Sequence, residues 1–124
     1  MFFIIGGAYQ GKLDYARTRF ALQQEDIFTC TGGEIDFSRR CVCRIDTFVR
    51  ACAENGADPV EYFRKRKELW KDSVLICRDV SCGVVPVDAE LRHSRQETGR
   101  LCQYLSMEAE RVVRIFCGLE QILK

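Results

Sequence analysis

The run Gly6-Gly7-Ala8-Tyr9-Gln10-Gly11-Lys12 has the spacing G-x-x-x-x-G-K, follows a continuous apolar stretch and leads into a helical pattern. That order suits phosphate binding. Glycines let the backbone wrap its N–H groups around an anion, a helix N-terminus adds positive potential, and the lysine reaches the terminal phosphates. Leu13 comes next, at the position where the pattern carries Ser or Thr to hold Mg²⁺. Cradling by the backbone and by Lys12 does not need that hydroxyl, whereas metal positioning loses a ligand. The bland alternative is a glycine-rich strand-to-helix turn that binds nothing.

Asp79 is the second candidate. It stands two residues past the apolar run Val74-Leu75-Ile76-Cys77. An acid at the C-terminal end of a parallel strand shares a sheet edge with the loop after the first strand, where it can hold Mg²⁺ directly or through water. A third group lies in the helix after Asp88. Leu91, Thr98, Leu101, Cys102 and Leu105 recur at helical spacing as a core face, and Arg92, Arg95, Gln96, Gly99 and Gln103 fall on an adjoining face. Glycine inside a helix costs about 1 kcal/mol relative to alanine, so a close neighbour is expected at Gly99: a phosphate, a substrate or another subunit. His93, the one imidazole, has no partner acid or nucleophile in the sequence pattern and reads as a surface residue.

The elements that must position these residues follow from periodicity. Phe2 to Ile5 reads as a buried strand ending at Gly6-Gly7, and Lys12 to about Gln24 as a helix with Leu13, Ala16, Phe20 and Ala21 on one face. Asp26 to Cys30 is a second strand, and Thr31 to Arg40 a loop. Ile45 to about Glu54 is a helix stopped by Asn55-Gly56. Asp58 caps the next helix, with Pro59 in its first turn and Glu61 reaching back, and this helix is expected to run to about Lys71. Its basic cluster Arg64-Lys65-Arg66-Lys67 spreads around the helix as a solvated surface. Val74 to Cys77 is another buried strand, 78–87 a loop with Gly83 and Pro86, Asp88 to about Glu108 a long helix, and Val112 to Cys117 a last buried strand. Strands alternating with helices predict an α/β fold, a mainly parallel sheet flanked by helices, as a single domain over 1–124.

Composition narrows the functional classes. The 124 residues are 47% hydrophobic and 30% charged, enough for one core. Nineteen basic against eighteen acidic residues give a net charge of +1, which argues against non-specific nucleic-acid binding. The apolar run Met1 to Ile5 is far shorter than the ~20 residues that cross a bilayer, so a soluble, cytoplasmic protein with no membrane partner is expected. Most of the eight cysteines sit in apolar segments, Cys77 and Cys117 among them, and read as buried reduced thiols. One close pair, Cys41 and Cys43, with a single histidine does not make a zinc set.

Ile4 to Lys12 followed by Asp14-Tyr15-Ala16 resembles the opening of the bifunctional adenosylcobinamide kinase / adenosylcobinamide-phosphate guanylyltransferase family of cobalamin biosynthesis. Val74 to Pro86 resembles that family's strand, acid, Val, Gly and Val-Pro pattern. The likeness continues through Arg92, Arg95, Gly99-Arg100-Leu101 and Gln103 to Glu110–Lys124, in the same order. The resemblance implies a RecA-like P-loop NTPase fold that binds GTP or ATP with Mg²⁺ and phosphorylates the aminopropanol hydroxyl of adenosylcobinamide. It makes Gly6 to Leu13 (Gly6, Gly7, Ala8, Tyr9, Gln10, Gly11, Lys12, Leu13) the phosphate loop and Lys12 the phosphate-contacting lysine. Asp79 becomes the acid in place of a glutamate, and Arg92, Arg95, Gly99 and Gln103 become a substrate or subunit contact in a homo-oligomer, a trimer in that family. The family's guanylyl transfer uses a histidine after the second strand, and none occurs between Asp26 and Trp70. The expected activity is therefore the kinase step of a shortened member. The alternative is a non-catalytic nucleotide- or corrinoid-binding paralogue that senses or scaffolds.

Overall fold

A computed structural model describes residues 1–79 and 88–124. The loop expected over 78–87, with Gly83 and Pro86, and Cys82 within it lie largely outside the described residues, which stop at Asp79 and resume at Asp88.

Six strands form one sheet: β1 (Phe2–Gly6), β2 (Ile27–Thr29), β3 (Cys41–Cys43), β4 (Val74–Arg78), β5 (Arg111–Phe116) and β6 (Leu119–Ile122). Their order is β2-β3-β4-β1-β5-β6. Every pairing from β2 to β5 is parallel, and β6 is added antiparallel to β5. The expected α/β fold with a mainly parallel, helix-flanked sheet is what the chain adopts.

Successive residues of a strand face opposite sides of a sheet, and both sides here are apolar, as a doubly covered parallel sheet requires. Ile4, Ile76, Val113 and Ile115 pack toward helix α1 (Lys12–Phe20) around the buried Ala16. Phe3, Leu75, Cys77 and Val112 face the opposite layer. That layer contains α2 (Ile45–Asn55), α3 (Pro59–Arg64), α4 (Lys67–Trp70) and α5 (Ala89–Glu108). Its centre is aromatic: Phe63 stands edge-on to Phe37 and Phe48 at 5.5 and 5.7 Å between ring centres.

Several elements differ from expectation. Helix α1 ends at Phe20 rather than near Gln24, because Ala21 turns left-handed (φ 50°) and sends Leu22 into the core. Ala21 itself is exposed. The helix from Asp58 is broken in two. Asp58 does cap it, its carboxylate accepting from the N–H groups of Val60 and Glu61. Glu61, however, pairs with Arg64 instead of reaching back. The Phe63 carbonyl accepts from the Trp70 indole at 2.8 Å and from the Arg66 N–H, so it is taken away from a regular helical ladder.

Strands β3 and β6 carry no period long enough to read. Cys117 is exposed at the β5–β6 turn, not packed in a strand, because Cys117 and Gly118 both adopt positive φ (51° and 76°). That pair of angles is what a tight two-residue hairpin needs. Leu91 is partly exposed rather than core, while Thr98, Leu101 and Leu105 are buried as expected. Among the described residues, no helix is long and apolar enough to cross a membrane.

Candidate functional site

Parallel strands put all their C-terminal ends on one sheet edge. From that edge the chain leaves β1 toward α1 on one face, and leaves the adjacent β4 toward α5 on the other. Neighbouring strands whose connections part in this way open a crevice between them, the usual ligand position in open α/β sheets. Residues 7–11 stand at that crevice.

Two glycines are needed for the loop to take this path. A Cβ on Gly6 would lie 2.6 Å from the Ile115 carbonyl oxygen of the neighbouring β5. Gly11 caps α1 at φ 89°, a left-handed angle that costs other residues about 1–2 kcal/mol. Tyr9 pays a similar strain at φ 60° with its side chain fully exposed. The β5–β6 turn holds the loop from outside. Cys117 donates its N–H to Gln10 Oε1 at 2.6 Å, and Gly118 donates to the Gln10 carbonyl at 2.9 Å. Tyr15 of α1 further bonds Glu120 of β6.

The loop and the first turn of α1 form one wall of a cavity of about 580 Å³. The other walls come from the ends of β2, β3 and β4: Thr29, Cys43 with Arg44, and Ile76 with Arg78, plus Asp46 from the first turn of α2. Lys12 donates from Nζ to the Gly7 carbonyl at 2.6 Å, bending back over its own loop. Burial pushes the Lys12 ammonium below its usual 10.5, Asp46 and the Cys77 sulfur oppose that, and the Arg78 and Arg44 charges add to it. A lysine held in this way gains from any anion that enters the cavity.

Asp79 directly follows β4, and its N–H donates to the Gly6 carbonyl at 2.7 Å, which ties it to the start of the loop. Among the described residues the carboxylates on the cavity wall are Asp14 and Asp46. Asp46 also accepts from the Arg78 N–H at 3.4 Å. Arg44, Asp46 and Arg78 are site residues that sequence reasoning missed. The signal was faint: Arg44 and Asp46 follow a strand of three residues, and Arg78 adjoins the singled-out Asp79.

Arg92, Arg95, Gly99 and Gln103 are not brought to this cavity; they lie along α5, on the layer beyond β4. Among the described residues a Cβ at Gly99 would meet nothing within 4 Å, so none of them supplies a close neighbour there. Exposed His93 lines a smaller hollow between α5 and α2, with Arg50 and Glu54 opposite.

Magnesium is bound through hard oxygen ligands and commonly keeps several waters, using one or two carboxylates and the substrate's phosphates. Leu13 offers no oxygen. Among the described residues no three His, Cys, Asp or Glu side chains group closely enough to hold a metal ion by themselves. A cation carried in on phosphates would find Asp46 on the wall and Asp79 at the strand end. Compared with protein-family models and with curated proteins, the chain matches none.

Proposed function

We propose that this chain binds a purine nucleoside triphosphate, GTP or ATP, by its phosphates and transfers the terminal phosphoryl group to a hydroxyl acceptor. One observation carries the reading: the G-x-x-x-x-G-K run forms a strand-loop-helix at the crevice between β1 and β4, with Lys12 on the wall of the cavity there. The RecA-like P-loop NTPase assignment belongs to the same proposal, as does adenosylcobinamide as acceptor. They are supported by the likeness of residues 4–16 and 74–86 to the cobinamide kinase family and by the parallel order β2-β3-β4-β1-β5.

The backbone N–H groups of the loop and the Lys12 ammonium hold the β- and γ-phosphates, and the leaving oxygen's growing charge is met by Lys12. A bound Mg²⁺, with Asp46 or Asp79 as its protein ligand, would supply further charge neutralisation between the phosphates. Guanylyl transfer is left out, because no histidine occurs between Asp26 and Trp70.

Isothermal titration of GTP and ATP into the wild type and Lys12→Ala tests the site. Micromolar binding that disappears in the variant supports the proposal, and equal binding by both proteins overturns it. Leu13 favours a second reading, a nucleotide- or corrinoid-binding paralogue without transfer. Phosphorylated adenosylcobinamide, sought by chromatography after incubation with GTP, separates the two: a binder saturates and forms no product.

A further inference from the structure

We infer that Arg44 and Arg78 complete the phosphate site, so that this cavity binds a polyphosphate without requiring a divalent cation, and Mg²⁺ is needed for the transfer step alone. The inference rests on the nucleotide reading above and specifies how that site compensates charge.

Three cations line the cavity: Lys12, Arg44 and Arg78. Most basic side chains elsewhere are occupied, in ion pairs such as Arg40 with Asp26 or Arg100 with Asp58, or over rings, as Arg66 is over Tyr62. Neither Arg44 nor Arg78 makes an ion pair with any described residue. Asp14 and Asp46 share the cavity wall, so its described lining carries three cations against two carboxylates. Lys12 makes its hydrogen bond to a carbonyl, not to an acid. Unpaired cations converging on a recess concentrate anions there, and guanidinium groups match phosphate oxygens two at a time.

Arg44 is also held at a cost. Its backbone is left-handed, φ 57° and ψ 44°, at the start of α2 with no side-chain cap. Glycine would occupy that angle without strain. An arginine kept where glycine fits better, beside the cavity, indicates that its side chain is what the position requires. Leu13 points the same way. The residue that ordinarily brings a metal to the phosphates carries no oxygen here, while the opposite wall carries two arginines against the single carboxylate of Asp46.

Titration of inorganic tripolyphosphate and of GTP, each in EDTA and in excess Mg²⁺, tests this directly. The expected result is equal affinity within about threefold in the two buffers. Arg78→Ala and Arg44→Gly should each weaken binding about tenfold in EDTA, the loss of one charge-assisted contact. Arg44→Gly also separates binding from folding, because relief of strain should raise Tm by about 3 °C while affinity falls. Binding seen only with Mg²⁺ overturns the inference and leaves the nucleotide site standing. Unchanged affinity in both arginine variants overturns it as well. No binding in either buffer overturns both readings together.

Discussion

The N–H of Asp79 donates to the carbonyl of Gly6 at 2.7 Å, joining the end of β4 to the first residue of the glycine-rich loop. The two residues lie 73 positions apart in sequence (79 − 6) and meet because β1 and β4 pair in parallel with Gly6 opposite Arg78. Whatever enters the crevice between these strands is therefore framed by one rigid edge rather than by two independent loops.

Gly6→Ala should damage that edge. The added methyl would lie 2.6 Å from the Ile115 carbonyl, and both residues belong to paired backbone, Gly6 opposite Arg78 and Ile115 opposite Glu120, that cannot readily rotate away. Overpacking of this kind costs about 1–3 kcal/mol, and Tm by calorimetry should fall by several degrees. A Tm within one degree of wild type would show that β5 yields freely.

Gln10 ties the loop to the β5–β6 turn through its side-chain oxygen on Cys117 and its carbonyl on Gly118. Gln10→Ala should cost about 1 kcal/mol and weaken GTP binding, since the loop loses an outside anchor. Gln10→Glu keeps an acceptor oxygen and should retain the stability. Equal losses in both variants would assign the effect to something other than this hydrogen bond.

Lys12 sets a pH dependence. Burial lowers its pKa in the empty site, and phosphates favour the charged form and raise it again. Binding then takes up a proton on the alkaline side, and affinity should decline as pH rises toward 10.5. Titrations near pH 9.5 in two buffers of different ionisation enthalpy would reveal the uptake, which Lys12→Arg should remove.

Tyr15 gives a separate alkaline signature in stability. Burial, helped by its bond to Glu120, pushes its phenol up to about 12 from 10.0. Between those values the folded chain keeps a proton that the unfolded chain has lost, so unfolding releases it and stability falls as pH rises from 10 to 12. Tyr15→Phe should flatten that part of the urea-denaturation profile. A slope unchanged in the variant would assign it to another group.

Much of the fold follows from local pattern. Continuous apolar runs at Phe2–Ile5 and Val74–Cys77 and the caps Asp58 and Asp88 act within a few residues of themselves, so β1, β4 and the starts of α3 and α5 are legible. So are the glycine loop and Lys12, whose spacing is itself the signal. Strand β3 is three residues long and β6 is exposed along its length, so neither shows a period; each exists because a neighbouring strand offers hydrogen bonds. The same holds for the far wall of the cavity. Arg44 and Asp46 follow β3, and only the pairing of β3 with β4 and of β4 with β1 sets them across from Lys12. Local chemistry is written in neighbouring residues and can be read there. Which distant charges share a cavity depends on strand order, and strand order is decided by how the whole sheet buries its two faces.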